Sequence, residues 1–271
     1  MSLDNIRIVL VRPRGSANVG AAARAIKNMG LRHLVLVRPA PISTFWAKAM
    51  AVHADDVLEG VRIEDTLAEA VADCGLVVGT TCRGGPYRAA TTAPRIAAPR
   101  IVATATANPV AIVFGPEDQG LNNDDLKACH QLLTIPTSDA YASLNLAQAV
   151  MVCCYELFLA AQQEVESASE RPENVAQPAL ASAARLDLMF ARMRAAFLSI
   201  GFLLRDNPDH IMFAFRRIFG RAQLEERDVR IFLGLARQIE WFGRGGWKTM
   251  ARQPAWQDPE ASVGSKREAS V

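Results

Sequence analysis

Short apolar runs recur along the first half of the chain, and their spacing constrains the fold more than any other feature of the sequence. Five such runs span residues 6–11, 33–37, 76–81, 109–115 and 131–136. The first, IRIVLV, is continuous in apolarity, as a strand covered on both faces would be. Helical patterns at 19–29, 65–74 and 122–129 lie between the runs. Strands that alternate with helices predict an α/β fold, a parallel sheet with helices on both faces.

The segment after the last predicted strand, SDAYASLNLAQAVMVCCYEL (138–157), changes character halfway along. From Leu146 onward apolar residues run almost unbroken, which predicts a buried helix from about Asn145 to Gln163. The residues before it, from Tyr141 to Asn145, form a loop of small and polar residues. An ordinary loop followed by a buried helix would explain the second half, but it leaves Ser143 and Asn145 unexplained.

The second half of the chain has a different composition. Residues 164–182 are rich in Glu, Ser, Ala and Pro and are interpreted as a linker after a main domain spanning 1–163. Residues 183–252 predict a basic helical extension in three pieces, and the polar tail 253–271 is predicted to be disordered. Residues 185–252 hold twelve Arg and one Lys against seven acids. Such a charge permits a polyanionic partner, although ordinary solvated helix faces would also produce it.

Several classes of protein are excluded by what the sequence lacks. No apolar run reaches the ~18 residues that a membrane span needs, and the N-terminus has no signal-peptide pattern. Five cysteines without a Cys-x-x-Cys pair argue against a zinc site or a disulfide framework, and they favour the reducing cytoplasm. No Gly-x-x-x-x-Gly-Lys-Ser/Thr or Gly-x-Gly-x-x-Gly motif follows the first strand. Ser143 lies in no Gly-x-Ser-x-Gly elbow, so a serine hydrolase is poorly supported.

Loops rich in Gly, Ser, Thr and Asn follow four of the predicted strands. They span residues 12–30, 80–88, 115–123 and 136–148. In an open parallel sheet such loops meet at the carboxyl ends of the strands, where ligands bind near a topological switch point. We therefore expect the four loops to form one site. Asn18 and Gly20 could also begin the first helix and receive an anion there.

Three stretches within these loops together resemble the motifs of the SPOUT superfamily of RNA methyltransferases. They are NVGAAARAIKNMG (18–30), IVFGPEDQGL (112–121) and SLNLA (143–147). The chain is most similar to the TrmJ-like family of tRNA 2′-O-ribose methyltransferases. The resemblance runs from about residue 4 to 162 and continues more faintly through the basic helices. One departure is Ala17, where relatives commonly carry Gly.

The resemblance implies a sheet whose last strand, loop and helix form a trefoil knot that holds S-adenosylmethionine. It implies methyl transfer to a ribose 2′-hydroxyl of tRNA, at nucleotide 32 of the anticodon loop, by a homodimer that needs no metal. A different tRNA or rRNA nucleotide is the alternative within this class. A knotted RNA-binding module without catalytic activity is the alternative from another class.

The resemblance also implies roles for individual residues. Arg24 is the expected catalytic residue, with Ser143 and Glu117 beside it, although Arg24 could be a plain exposed helix residue and Glu117 a helix N-terminal charge. A guanidinium is a poor base, so a grip on an RNA phosphate is physically easier for Arg24. The expected cofactor-binding residues are Thr80, Thr81, Cys82, Gly115, Ile135, Ala142, Ser143 and Leu144. The expected RNA-binding residues are Asn18, Arg14, Arg83, Arg88 and Asn145, with Arg216, Arg217 and Arg221 as further phosphate contacts. Asn145 could equally be the N-cap of the last helix.

Overall fold

The computed structural model describes residues 2–85, 88, 91–168, 177–203 and 208–246. Its strands are β1 (Ile6–Val11), β2 (His33–Val37), β3 (Arg62–Glu64), β4 (Leu76–Thr80), β5 (Val110–Phe114) and β6 (Gln131–Leu133). They form one sheet in the order β3-β2-β1-β5-β4-β6, and every pairing in it is parallel. The predicted parallel sheet is therefore confirmed.

The side chains of β1 alternate between two cores, one on each face of the sheet. Ile6, Ile8 and Leu10 belong to one buried cluster, whereas Val9 and Val11 belong to another. A central strand with helices on both sides is apolar at its buried positions. Arg7, which is only partly buried, is the exception in β1. The apolar residues on both faces of the strand confirm the predicted α/β class.

In the part of the chain that the structure describes, seven α-helices accompany the sheet. They are α1 (Ser16–Asn28), α2 (Thr44–Ala51), α3 (Asp55–Glu59), α4 (Leu67–Val71), α5 (Pro94–Ala105), α6 (Asn123–Lys127) and α7 (Leu146–Ala168). Helix α7 packs against both α1 and α5 on the first face. Residues of α4 and α6 belong to the core of the second face. The sheet thus has helices on both sides, with the buried α7 on the first.

Some elements differ from the sequence prediction. The sequence interpretation did not include β3, α2, α3 or α5. Helix α5 has Pro94 in its first turn and Pro99 in its interior, and an interior proline removes a helical hydrogen bond, so the segment does not look helical. Helix α1 begins at Ser16 rather than at Val19, and α7 continues to Ala168 rather than ending near Gln163.

The described residues of the C-terminal part form three helices, in agreement with the sequence prediction. Its helices are α8 (Ala183–Ser199), α9 (Pro208–Ala222) and α10 (Glu226–Gly243), and they share a core of their own. Residues 169–176 of the predicted linker and the predicted disordered tail 253–271 lie outside the described residues. Among the helices that are described, none has both the length and the apolarity to cross a membrane.

The C-terminal helices dock directly on the sheet domain. Gly220 of α9 lies so close to the backbone of His130 that a Cβ atom at position 220 would overlap it. The Arg216 guanidinium donates to the Lys127 carbonyl at 3.2 Å and to Asp187 at 2.6 Å. The sheet domain and the C-terminal helices therefore meet at the edge of the sheet formed by β6.

Candidate active site

The carboxyl ends of three neighbouring strands meet at one pocket. It is bordered by the loops that follow β4, β5 and β6. All eight residues that the resemblance assigned to the cofactor line it, namely Thr80, Thr81, Cys82, Gly115, Ile135, Ala142, Ser143 and Leu144. The loop after β1 reaches this pocket only indirectly, through Glu117, which also lines it.

The wall formed by the loop after β5 depends on a glycine. A Cβ atom at Gly115 would overlap the backbone of Gly120 and Leu121, because the loop folds back onto the end of the strand. The Gly120 amide closes the turn by donating to the Pro116 carbonyl at 2.9 Å, and Gly120 itself has a φ of +64°. A left-handed backbone of this kind favours glycine. The sequence Gly115 to Gly120 thus folds into a tight turn at the pocket wall.

A chain of hydrogen bonds joins the three motif segments beside the pocket. The Glu117 carboxylate accepts from the Asn18 side-chain amide at 2.9 Å, from the Gly15 amide at 3.0 Å and from the Arg14 amide at 3.1 Å. The Asn18 side-chain oxygen in turn accepts from Asn145 Nδ2 at 2.9 Å. Residues far apart in sequence thereby hold one another in place at the edge of the pocket.

The carboxylate of Glu117, which belongs to the loop after β5, lies at the N-terminal end of α1. Partial burial raises its pKa, but the hydrogen bonds from Asn18 and from the backbone amides of Gly15 and Arg14 outweigh that effect and leave the pKa below its ordinary value. The carboxylate is therefore ionised at neutral pH, where helix N-termini favour a negative charge. The anion at this helix end comes from the chain itself. Gly20, interpreted from sequence as part of an anion site, instead lies inside α1 against the backbone of Ala47.

Asn145 has the N-cap role that the sequence offered, whereas its expected contact with RNA stays a prediction. Its Oδ1 accepts from the amides of Ala147 at 2.9 Å and Gln148 at 3.4 Å, which caps the start of α7. Its Nδ2 makes the bond to Asn18. The nearby Ser143 is exposed and lines the pocket. Within the described part of the chain its hydroxyl has no hydrogen-bond partner, so it is available to a ligand.

Arg24 lies apart from the pocket within one chain. It is exposed on α1, six residues beyond Asn18, which corresponds to roughly 9 Å along the helix axis. It is not among the residues that line the pocket. Within the described ranges, the Arg24 side chain forms no hydrogen bond or ion pair. The guanidinium is therefore free to meet a group that comes from outside this chain.

The other arginines expected to bind RNA are held differently. Arg14 pairs with Asp118 at 2.7 Å, and both side chains stay largely exposed. Arg83 and Arg88 line the pocket and donate to backbone carbonyls of its wall, that of Asp118 at 3.1 Å and that of Leu121 at 3.0 Å. These two arginines thus tie the loop after β4 to the loop after β5.

The arginines of α9 also differ from one another. Arg216 is mostly buried and stacks on the Phe190 ring, with 4.4 Å between the guanidinium carbon and the ring centroid. It also forms an ion pair with Asp187, so its charge is already paired within the chain. Burial lowers the pKa of Arg217. Arg221 stays exposed, and its backbone carbonyl accepts from Arg100 at 3.0 Å. Of the three, Arg221 is the one whose side chain is open to a phosphate.

The sequence analysis assigned no role to three apolar residues of the pocket. Phe114, Leu121 and Leu146 line it together with the expected Ile135, and the first three are buried. Their signal in the sequence was their place within the second and third motif stretches. Apolar walls suit a flat base, whereas the charged residues around the pocket, of both signs, suit a zwitterionic group. The residues present therefore fit an adenosyl compound that carries an amino-acid group.

Comparisons with known proteins agree with this geometry. Residues 5–155 match the SpoU rRNA Methylase family, and residues 184–254 match the family described as tRNA methyltransferase TrmJ, C-terminal domain. The chain is 40% identical over 240 residues to the tRNA (cytidine/uridine-2′-O-)-methyltransferase TrmJ of Cronobacter sakazakii, covering 88% of this chain and 97% of the relative. The TrmJ of Salmonella choleraesuis is also 40% identical, with 90% and 99% covered.

Solved structures give the same result. The crystal structure of TrmJ from Z. mobilis ZM4 superposes with a TM-score of 0.71 and 31% identity, covering 86% of this chain and 98% of that one. A probable methylase family protein from Haemophilus influenzae Rd KW20 gives a TM-score of 0.59 and 34% identity, with 88% and 97% covered. The chain therefore belongs to the SpoU methylase family, in its TrmJ branch, and is a methyltransferase.

Proposed function

We propose that the protein transfers a methyl group from S-adenosylmethionine to a ribose 2′-hydroxyl of tRNA, at nucleotide 32 of the anticodon loop, in the cytoplasm. The observation that carries the proposal is the hydrogen-bonded link between Glu117, Asn18 and Asn145 beside the pocket. It brings one residue from each of the three motif stretches to the same place. The TrmJ relatives, named as tRNA (cytidine/uridine-2′-O-)-methyltransferases, support the substrate class.

The cofactor would lie in the pocket at the ends of β4, β5 and β6. The residues proposed to hold it are Thr80, Thr81, Cys82, Gly115, Ile135, Ala142, Ser143 and Leu144. When bound, S-adenosylmethionine supplies a methyl group that its positive sulfur has already activated. The chain itself then has to exclude water and hold the acceptor hydroxyl in line.

The acceptor side would be formed by polar residues next to the pocket. Ser143 has a hydroxyl free to bond the ribose, and Asn18 and Asn145 fix the loop that presents it. Glu117 acts as a positioning residue, because its carboxylate is already taken by amides of the loop before α1. Arg14 and Arg24 are exposed cations that suit RNA phosphates.

Arg24 does not line the pocket of its own chain, so a role in the reaction requires a contact with another molecule. We propose that the protein is a homodimer and that Arg24 acts at a site to which both subunits contribute. A guanidinium that grips a phosphate places the 2′-hydroxyl and stabilises developing negative charge on its oxygen. Large exposed apolar side chains, including Trp46 of α2 and Tyr155 of α7, are compatible with a subunit interface. Light scattering on the purified chain tests the dimer. The SPOUT trefoil knot likewise remains a prediction.

A transfer assay tests the proposed reaction. The protein is incubated with tritiated S-adenosylmethionine and bulk tRNA, and 2′-O-methylated positions are then mapped by sequencing. Label at nucleotide 32 is the expected result. Label at another tRNA position, or in rRNA, would keep the class of reaction and correct the nucleotide. Cofactor binding without transfer to any RNA would contradict the proposal.

A further inference from the structure

Two of the arginines expected to bind RNA belong to the wall of the proposed cofactor pocket. Arg83 and Arg88 both line the pocket, together with the proposed adenosyl-binding residues. Arg83 is exposed, and Arg88 is half-buried. Each uses a single terminal nitrogen, Nη2, to donate to a backbone carbonyl of the opposite wall. A guanidinium has five N–H donors, so most of the donors of both remain for a ligand.

Neither arginine has its charge neutralised by the protein. In the part of the chain that the structure describes, no carboxylate forms an ion pair with Arg83 or Arg88. The nearest candidate along the wall, Asp118, pairs with Arg14 at 2.7 Å. Two cations beside a partly apolar pocket favour an anionic group there, because charge is most stable when it is paired in such surroundings.

The pocket also has charge of the opposite sign. Glu117 and Asp118 line it, and Glu117 is held in its ionised form by three hydrogen bonds. A ligand with a carboxylate and an ammonium group matches this polarity. S-adenosylmethionine has both, together with a positive sulfur. Two unpaired arginines would repel such a cation unless its carboxylate met them.

We propose that Arg83 and Arg88 bind the carboxylate of the donor's amino-acid group and thereby select it against adenosine compounds that lack a carboxylate. The inference rests on the proposed cofactor. It differs from the expectation that both arginines bind RNA. Both arginines line the pocket and bond to the wall formed after β5, which favours the small anion over a phosphate of the RNA backbone.

Calorimetry with two ligands tests the proposal. S-adenosylhomocysteine carries the amino-acid group, and 5′-methylthioadenosine keeps the adenosyl part without it. For Arg83→Gln and Arg88→Gln we expect S-adenosylhomocysteine to bind about tenfold more weakly, since a charge-assisted hydrogen bond is lost. The affinity for 5′-methylthioadenosine should stay within about twofold of the wild-type value, because that ligand has no carboxylate to lose. Arg32→Gln, an exposed arginine at the opposite end of the sheet, is the matched control.

The other outcomes are distinguishable. Equal weakening of both ligands would mean that the arginines only hold the pocket wall, and it would overturn the proposal. Unchanged binding of both ligands, with weaker binding of tRNA in a filter assay, would overturn the proposal and support the earlier expectation that the arginines bind RNA. A wild-type protein that bound neither ligand would contradict the proposed cofactor itself, and the inference with it. Thermal unfolding of each variant shows that it is folded.

Discussion

At the scale of single residues, the site depends on side chains that bond to the chain rather than to a ligand. The Glu117 carboxylate accepts a hydrogen bond from the Asn18 side chain. Asn145 caps α7 and also donates to Asn18. The resemblance implied that Glu117 is a site residue, and its carboxylate bonds Asn18. The sequence could not show that the backbone amides of Arg14 and Gly15 share the same carboxylate, since such bonds depend on how two distant loops meet.

Arg24 provides the sharpest test at this scale. We expect Arg24→Ala to reduce methyl transfer by at least about a hundredfold, because a charged contact to the acceptor is removed. The affinity for S-adenosylhomocysteine should change little, since Arg24 does not line the pocket. Tritium transfer and calorimetry on the same preparation measure the two effects. A fully active variant would remove Arg24 from the mechanism.

Glu117 predicts a dependence of stability on pH. Its pKa is below the ordinary value of 4.5 in the folded protein, so its ionised form adds stability above pH 4.5 that is lost as the pH falls through the lower folded pKa. Glu117→Gln should therefore be less stable than wild type at neutral pH, by about 1 kcal/mol. The difference should vanish in acid. Urea unfolding at both pH values measures it, and a difference that persisted in acid would contradict the assignment.

At the scale of elements, the sequence predicted what local pattern determines. The strands of the central sheet and α1 were found because their apolar spacing is set by burial on both faces. Helix α5 was missed because Pro99 breaks the helical pattern, whereas packing against α7 keeps the segment helical. Strand β3 has three residues, too few to give a pattern. The residues expected to bind the cofactor came from the resemblance, since small residues spread over three loops leave little trace in composition.

The turn after β5 can be tested by adding one methyl group. Gly115→Ala would force the backbone of Gly120 and Leu121 to move, because no space exists for a Cβ atom. We expect a loss of stability of about 1–3 kcal/mol, together with weaker binding of S-adenosylhomocysteine. Gly84→Ala is the matched control, since position 84 has open space in the neighbouring loop. Equal behaviour of the two variants would mean that the turn is more adaptable than its packing indicates.

At the scale of the whole molecule, the C-terminal helices are part of the sheet domain's surface. The Ala183 amide donates to the Cys74 carbonyl at 2.8 Å, and the Leu180 amide donates to Asn108 Oδ1 at 2.8 Å. The sequence predicted the helices and their basic charge, but it could not predict this docking. Arg216 was predicted to contact a phosphate, but its partners within the chain lie on two separate helices, α6 and α8, and sequence alone could not show that they meet.

His130 makes this docking sensitive to acid. Burial lowers its pKa to about 4, and its neutral Nδ1 accepts from the Val77 amide at 3.2 Å. The unfolded chain takes up a proton near pH 6.5, so stability should be complete above that value and fall as the pH drops toward 4, by about 3 kcal/mol. Thermal unfolding as a function of pH measures the loss.

His130→Gln is the control, since glutamine offers an oxygen to the same amide without titrating. The variant should lose less stability than the wild type between pH 6.5 and 4. An identical acid dependence in both proteins would show that another group is responsible.

The link between Asn145 and Asn18 spans 127 positions of the chain. During synthesis the ribosome therefore releases the first motif long before its partner exists, and α7 must follow before the helix cap can form. Contacts of such long range are associated with slow folding. A nascent chain truncated before this helix lacks part of the pocket, so methyl-donor binding should be among the last properties that the growing polypeptide acquires.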